Sequence, residues 1–518
     1  MLDQLRRTPP PLIAVAIVAM VMVIALTSLN GPGLSTDAVN YLSTADNLAR
    51  GIGFRNFEGD LYVLWPPLYP AILAGFELLF GVDPQVSASV LNALAFGGTV
   101  LLMGILARRI LHREVVLSVW AVAGSLLSTS TFALTVNVAS DPIFIVLVLS
   151  FLILFDRYAR DGDRASYAGL IAVCGLACLQ RYIGATLVLT GSLGMVYARW
   201  SRPRRGLGEA AVFAGLSAAP LGAWIVRNYL VSGTLLGVRD PETWKPIENL
   251  LDIGFKAARW FVPYQLSSHP AFWVVLVIGL AIILIVRRKT LVRPLAGVKP
   301  EPITFVLILF PIIYLAAMVV LTKSVDHKNV IYDDRLYLPA YFPLFILLLL
   351  LLERMLGLVL TGASPRLHRS ILIGAATIWL LFPAYGMYKF WARSVHDGGI
   401  AYYNIYNTPA YRDSAVTLQL KTWASDPATT VFSNYPPAVY LQTRRIVGSL
   451  PSRTNFFGVP RPLEGYAGRW PGQTPAVLVW YEPNTKRNLY GPSELSTLSQ
   501  LQPLFTSDDG AIYALTPR

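Results

Sequence analysis

Residues 11–39 read PLIAVAIVAMVMVIALTSLNGPGLSTDAV, and the fold is decided in this stretch. From Pro11 to Leu29 no side chain is charged. At 1.5 Å per residue, a helix of that length reaches about 29 Å, close to the ~30 Å hydrocarbon core of a bilayer. Arg6 and Arg7 precede it, and Gly31-Pro32-Gly33 follows without a small-x-small cleavage pattern, so a retained first span is expected rather than a signal peptide. Past Ser35-Thr36 the pattern changes. Over Asp37–Arg50, Ala38, Tyr41, Leu42, Ala45, Leu48 and Ala49 share one helical face, while Asn40, Ser43, Asp46, Asn47 and Arg50 take the other. That predicts a helix lying in the membrane interface, stopped by Gly51.

The rest of the chain reads the same way. Of 518 residues only 14% are charged and 54% are apolar, with a mean hydropathy of +0.51. Soluble domains carry ~25% charged residues, so this composition excludes a soluble enzyme core, a disordered chain and a disulfide scaffold. Further apolar runs near 85–107, 115–134, 142–155, 166–180, 183–198, 207–226, 271–286, 302–321, 336–352 and 370–388 bring the expected transmembrane helices to about eleven. The net charge of +13 does not point to a nucleic-acid partner, because its arginines gather in short loops such as Arg108, Arg109, Arg113 and Arg199, Arg202, Arg204, Arg205. By the positive-inside rule these loops are cytoplasmic, which predicts an internal N-terminus and an external C-terminus. Cys174 and Cys178 stand four apart in an apolar run and read as small packing residues.

Two external segments follow from this topology. The first, 30–84, continues past the interfacial helix to Trp65-Pro66-Pro67-Leu68-Tyr69-Pro70, whose prolines can open a second short helix over Leu68–Phe80. The second is the less apolar tail, so the expected domains are a membrane domain over 1–388 and a small external α/β domain over 389–518. In the tail, Thr429–Ser433 and Ala476–Tyr481 read as strands and Pro409–Ala424 as an amphipathic helix. Leu504–Thr506 and Ala511–Leu515 read as a hairpin around Asp508-Asp509-Gly510. The run 166–198 has arginines at both ends and must cross twice, turning near Gln180-Arg181-Tyr182. Its arms are too short for the full core, so Arg181 is expected at membrane depth, where an arginine needs an anionic partner.

The familiar soluble motifs are missing: no phosphate-cradling glycine loop, no HExxH, no G-x-S-x-G. The five histidines are scattered without ligand spacing. What remains is an external face with carboxylates Asp37, Glu58, Asp60 and Asp141, and cations Arg181, Arg227, Lys323 and Arg335 near outer span ends. A carboxylate base beside clustered cations suits an acceptor hydroxyl attacking a group that leaves as a phosphate. Each residue also has a plainer reading. Asp37 can cap its helix, Asp141-Pro142 can start one, Arg227 and Arg335 can anchor at the interface, and Glu58 and Asp60 can be solvated loop residues.

This layout resembles the GT-C membrane glycosyltransferases that use polyprenyl-phosphate-linked sugars, in particular protein O-mannosyltransferases and the lipid A aminoarabinose transferase. The likeness rests on Asp37 near the start of an interfacial helix and the Pro66-Pro67-Leu68-Tyr69 helix. It continues through Ser140-Asp141-Pro142, Arg181-Tyr182-Ile183-Gly184, Arg227-Asn228-Tyr229 and Arg335-Leu336-Tyr337-Leu338-Pro339, with Ser433-Asn434-Tyr435-Pro436-Pro437 in the tail. It implies Asp37 as catalytic base with Asp141 as the second candidate, Arg181, Arg227, Arg335 and Lys323 as donor-phosphate ligands, and inversion at the transferred sugar. Tyr41, Asp60, Trp65, Tyr69, Tyr182 and Tyr337 are the candidate substrate-lining residues. The implied partners are a polyprenyl-phosphate-linked sugar and a lipid, glycan or protein acceptor at the inner or plasma membrane. No nucleotide or redox cofactor is implied, and a divalent metal stays open with no ligand in the sequence to support it. There are departures. The mannosyltransferases have Asp-Glu where this chain has Asp37-Ala38, the aminoarabinose enzyme has Lys where this chain has Trp65, and the Trp-Trp-Asp signature of oligosaccharyltransferases is absent. Two alternatives stay open: a ligase using a polyprenyl-diphosphate carrier, and a glycolipid transporter, although no repeat symmetry supports the second.

Overall fold

The computed structural model describes residues 9–111, 115–238, 246–269, 271–272, 278, 300–321, 333–359, 364–400, 406, 408–423, 429–455, 458–472, 475–482 and 488–517. The chain divides into two compact units. One comprises Met1–Ala25, Val90–Arg227 and Glu242–His396; the other comprises Leu26–Ser89, Asn228–Pro241 and Asp397–Arg518.

Among the described residues, seven helices are long and apolar enough to cross a membrane. They are α1 (Pro10–Asn30), α4 (Pro84–Ile110), α7 (Asp141–Asp161), α10 (Pro203–Ser232), α12 (Pro302–Leu321), α13 (Leu338–Val359) and α14 (Pro365–His396). Between them come α2 (Thr36–Ala49), α3 (Leu68–Phe80), α5 (Val115–Leu126), α6 (Thr129–Thr135), α8 (Arg164–Gln180), α9 (Ala185–Ala198) and α11 (Pro246–Arg259). Of the expected span at 271–286, all but 271–272 and 278 lie outside the described residues. The expected span 115–134 is broken: α5 and α6 meet at 45°. The cause is Ser128, whose extended backbone lets its hydroxyl accept from the Thr131 amide (3.4 Å) and cap a new helix.

The core of the first unit gathers around α7. Phe144, Phe151 and Phe155 are fully buried there, against Phe310 and Tyr314 of α12 and Phe342 and Phe345 of α13. The run 166–198 turns where expected. α8 ends at Gln180, a short 3-10 turn covers Tyr182–Gly184, and α9 continues. Gly184 makes the reversal possible, since a Cβ there would lie 2.4 Å from the Ala177 carbonyl. At 17 and 14 residues the two arms reach about 26 and 21 Å, short of the hydrocarbon core.

In the second unit, α2 and α3 form close to the expected bounds. α3 ends at Gly81, which supplies the left-handed residue that closes the helix. The polar face of α2 forms as expected but meets protein, since Asn40, Ser43, Asp46 and Asn47 are all buried. They are covered by other parts of the same unit, through bonds such as Asn47 Nδ2 to the Arg55 carbonyl (2.9 Å). The tail helix expected over 409–424 is two pieces, α15 (Pro409–Arg412) and α16 (Ala415–Trp423), because Ser414 accepts from the Thr417 amide (3.0 Å) and restarts the helix.

The tail sheet has five strands in the order β2-β1-β3-β5-β4. They are β1 (Thr430–Ser433), β2 (Val447–Gly448), β3 (Ala476–Tyr481), β4 (Ser499–Ser507) and β5 (Gly510–Pro517), with α17 (Pro436–Thr443) after β1. β1 runs parallel to β2 and β3, and β5 pairs antiparallel with β3 and β4. The β4–β5 hairpin turns at Asp508-Asp509 as expected, and its Gly510 is required because a Cβ would sit 2.0 Å from the Trp480 carbonyl oxygen. The buried Asn434 clips the end of β1 to β3, giving and taking bonds with the Tyr481 backbone at 2.8 and 2.9 Å.

Candidate active site

The first unit collects cations around two helix breaks. Asp141 is the first residue of α7, followed by a proline suited to a first helical turn, and it is buried. Its carboxylate Oδ1 accepts from the Arg181 guanidinium, across 40 residues of sequence. Arg181 sits in extended backbone between α8 and the 3-10 turn, and the preceding Gln180 donates Nε2 to the Ser140 carbonyl at 2.8 Å. Two bonds therefore pin the α8–α9 turn to the start of α7. Removing either member of such a buried pair costs ~3–5 kcal/mol.

From Arg181 the chemistry runs sideways. Tyr182 accepts at its hydroxyl from Trp224 Nε1 (3.2 Å), and the Arg227 guanidinium lies 4.7 Å over the Trp224 ring. Tyr314 donates to the Leu336 carbonyl (2.7 Å), tying the short 3-10 turn Asp333–Leu336, which carries Arg335, to α12. The next residue, Tyr337, has Lys256 Nζ at 5.5 Å from its ring. Lys256 was not among the sequence candidates. It lies on α11, where Ile253 packs inward one turn away, and it is only 4% exposed. The signal available in sequence was a lysine at a core-facing position of an amphipathic helix. Lys323 lies outside the described residues.

The second unit holds the aromatic candidates. Tyr41 meets Trp65 and Tyr69 edge to face, with centroids 5.9 and 5.1 Å apart, and Tyr62 stacks on Trp65 at 5.8 Å. Such pairs contribute ~0.5–1.5 kcal/mol beyond their buried area, and here they fix α2 against the start of α3. Asp37 occupies the first turn of α2 and is half-buried. The cap is Ser35, whose hydroxyl accepts from the Ala38 amide (3.3 Å), so Asp37 does not carry that duty. Asp60 stays apart from this cluster: it is exposed in a tight turn where its amide donates to Asn56 Oδ1 (2.9 Å). Glu58 accepts from the Ser449 hydroxyl (2.9 Å). Burial, with the Asp46 and Asp83 carboxylates behind it, pushes the Glu77 carboxyl above its ordinary range. Among the described residues no group of three or more His, Cys, Asp or Glu could hold a metal ion.

Seven long apolar helices among the described residues, an arginine-bearing break between α8 and α9 and a small five-stranded sheet fit the GT-C class of membrane glycosyltransferase. The comparisons with known proteins agree. Residues 65–224 match the family model of dolichyl-phosphate-mannose-protein mannosyltransferases, a stretch that holds Trp65, Asp141, Arg181 and Tyr182 but not Asp37. The fold is similar to that of ArnT from Cupriavidus metallidurans in the apo state, with a TM-score of 0.60 and 13% identity over 97% of both chains. It is equally similar to the structure of ArnT bound to undecaprenyl phosphate, with a TM-score of 0.59, 13% identity and 97% of both chains. The oligosaccharyltransferase AglB from Archaeoglobus fulgidus matches at a TM-score of 0.44 and 12% identity, over 86% of this chain and 65% of its own. No curated protein sequence matches the chain. The expected GT-C resemblance and fold class are borne out, and with them a glycosyltransferase.

Proposed function

We propose that the protein is an inverting glycosyltransferase that moves a sugar from a polyprenyl monophosphate carrier to an acceptor hydroxyl or amine on the external side of the membrane. The acceptor atom attacks the anomeric carbon as the bond to the carrier phosphate breaks, its proton passes to the Asp37 carboxylate, and polyprenyl phosphate leaves. Arg181, Arg227 and Arg335, with Lys256, carry the charge that develops on the leaving phosphate. In this reading Asp141 orients Arg181 rather than acting as base. Charge-assisted hydrogen bonds of this kind are worth ~1.5–3 kcal/mol each. The N-terminus is cytoplasmic and the tail external, on the charge distribution of the short loops. Acceptor recognition falls to the tail domain over 389–518, whose sheet has its own apolar core of Phe432, Trp470 and Trp480.

The observation that carries this reading is the arginine-bearing break between α8 and α9, braced by Asp141 and linked through Tyr182 and Trp224 to Arg227. The match of the ArnT fold bound to undecaprenyl phosphate supports the choice of carrier. The test is the purified protein in lipid, with its co-purifying lipid identified by mass spectrometry and its transfer assayed with polyprenyl-phosphate sugars. The expected products are polyprenyl phosphate and an acceptor glycoside of inverted configuration. Release of a diphosphate carrier, or movement of intact glycolipid without transfer, would overturn the reading.

A further inference from the structure

We propose that two tail tyrosines, Tyr406 and Tyr440, are positioning residues that hold the Asp37-bearing helix at its two ends. This rests on the reading of Asp37 as the base. At the N-terminal end, the Oγ1 of Thr36, the residue before Asp37, lies 2.7 Å from the Tyr406 hydroxyl. Close by, Asn30 bonds the Gly398 carbonyl, and Arg412 Nη1 donates to Asn30 Oδ1 at 3.4 Å. At the far end, the Tyr440 hydroxyl donates to Asp46 Oδ2 at 2.5 Å, in a setting where both side chains are buried. The other Asp46 oxygen accepts from Arg50 (3.0 Å), and Arg50 also donates to the Arg444 carbonyl at 2.9 Å.

Arg444 itself closes α17 with φ at 55°, a left-handed conformation that costs a side-chain-bearing residue free energy. It persists where its guanidinium meets Asp83 and its amide donates to the Tyr440 carbonyl (2.7 Å). Thr36 and Asp46 are about 15 Å apart along the helix axis, so the two tyrosine contacts fix both its tilt and its rotation. That matters for a base in the first turn, which must stay within hydrogen-bond reach of the acceptor proton. A displacement of 1 Å is enough to lose as much as ~10²-fold in rate. The tail is then part of the catalytic apparatus as well as the acceptor side, and the buried polar face of α2 has a purpose.

The test uses the full-length protein in lipid with Tyr406→Phe and Tyr440→Phe. Each keeps its ring, and Asp46 keeps Arg50, so neither leaves a buried charge stranded. Each variant is expected to lower kcat about tenfold while donor Kd and acceptor KM stay near parental. Introduced into Asp37→Asn, neither should lower kcat further, because a residue that acts through Asp37 has nothing left to position. Parental kcat in both single variants, or losses that multiply with that of Asp37→Asn, would overturn the positioning role and leave the base untouched. Parental turnover by Asp37→Asn itself would instead remove the base reading, and this proposal with it.

Discussion

Arg181 is both a structural group and a candidate ligand for phosphate, and one pair of substitutions separates the two roles. Its side chain is 18% exposed and that of Asp141 is 3% exposed, so Arg181→Ala strands a carboxylate away from water. Breaking a buried pair from one side costs ~3–5 kcal/mol, and the single variant should melt several degrees below the parent. The double variant Arg181→Ala with Asp141→Asn removes the stranded charge and should recover most of that loss. Donor binding should behave differently. A guanidinium bonded to phosphate contributes at least ~1.5 kcal/mol, a tenfold change in affinity being 1.4 kcal/mol, so both variants should bind carrier lipid at least about tenfold more weakly. Arg181→Lys keeps the charge without the planar fork and should rescue binding in part. Melting followed by intrinsic fluorescence and carrier binding measured in nanodiscs would read the two quantities independently. If the double variant regains donor affinity along with stability, Arg181 is a structural anchor and the phosphate-clamp argument is wrong.

Other expectations are sharper for being cheap to check. Because Ser35 caps α2, Asp37→Asn should leave melting near parental while turnover falls ~10²–10⁴-fold, and a rate within threefold of the parent would take Asp37 out of the mechanism. Lys256→Gln should weaken donor binding about tenfold and Lys256→Arg should not; equal affinity in both would make Lys256 a packing residue. Hydrogen bonds from Ser166 hold the Asp163 carboxyl below its ordinary value, so its contribution is present above the unfolded pKa and lost as pH falls through the folded one. Melting of Asp163→Asn should therefore fall less than the parent's between pH 5 and pH 3, and an identical fall would deny Asp163 this role. Ser493→Cys is exposed on the tail, while Cys174 and Cys178 are buried, so a membrane-impermeant maleimide should label it from the outside only. Labelling confined to the cytoplasmic side would reverse the topology.

Local properties of the chain were legible from its letters. Hydropathy over about twenty residues determined the long helices, since lipid tolerates backbone only when its hydrogen bonds close within the segment. Periodicity and end signals gave α2 and α3 within a residue, and the Asp508-Asp509-Gly510 turn gave the β4–β5 hairpin. The same reasoning identified Arg181 as an arginine that needs an anion, because that need follows from the length of the arms on either side. It missed the break at Ser128 and the restart at Ser414, where a hydroxyl competes with the helix for a single amide.

What the sequence could not reveal are the bonds between residues far apart in the chain. It did not say that the anion at Arg181 is Asp141, that Lys256 lies over Tyr337, or that the polar face of α2 is covered by protein instead of water. Helical periodicity separates two faces but is silent on what each face meets. A face of Asn40, Ser43, Asp46 and Asn47 is the same sequence whether solvent or a buried hydrogen-bond network lies against it. Only the folding of Leu26–Ser89 into one unit with Asp397–Arg518 decided between them, by bringing the Tyr440 hydroxyl to Asp46.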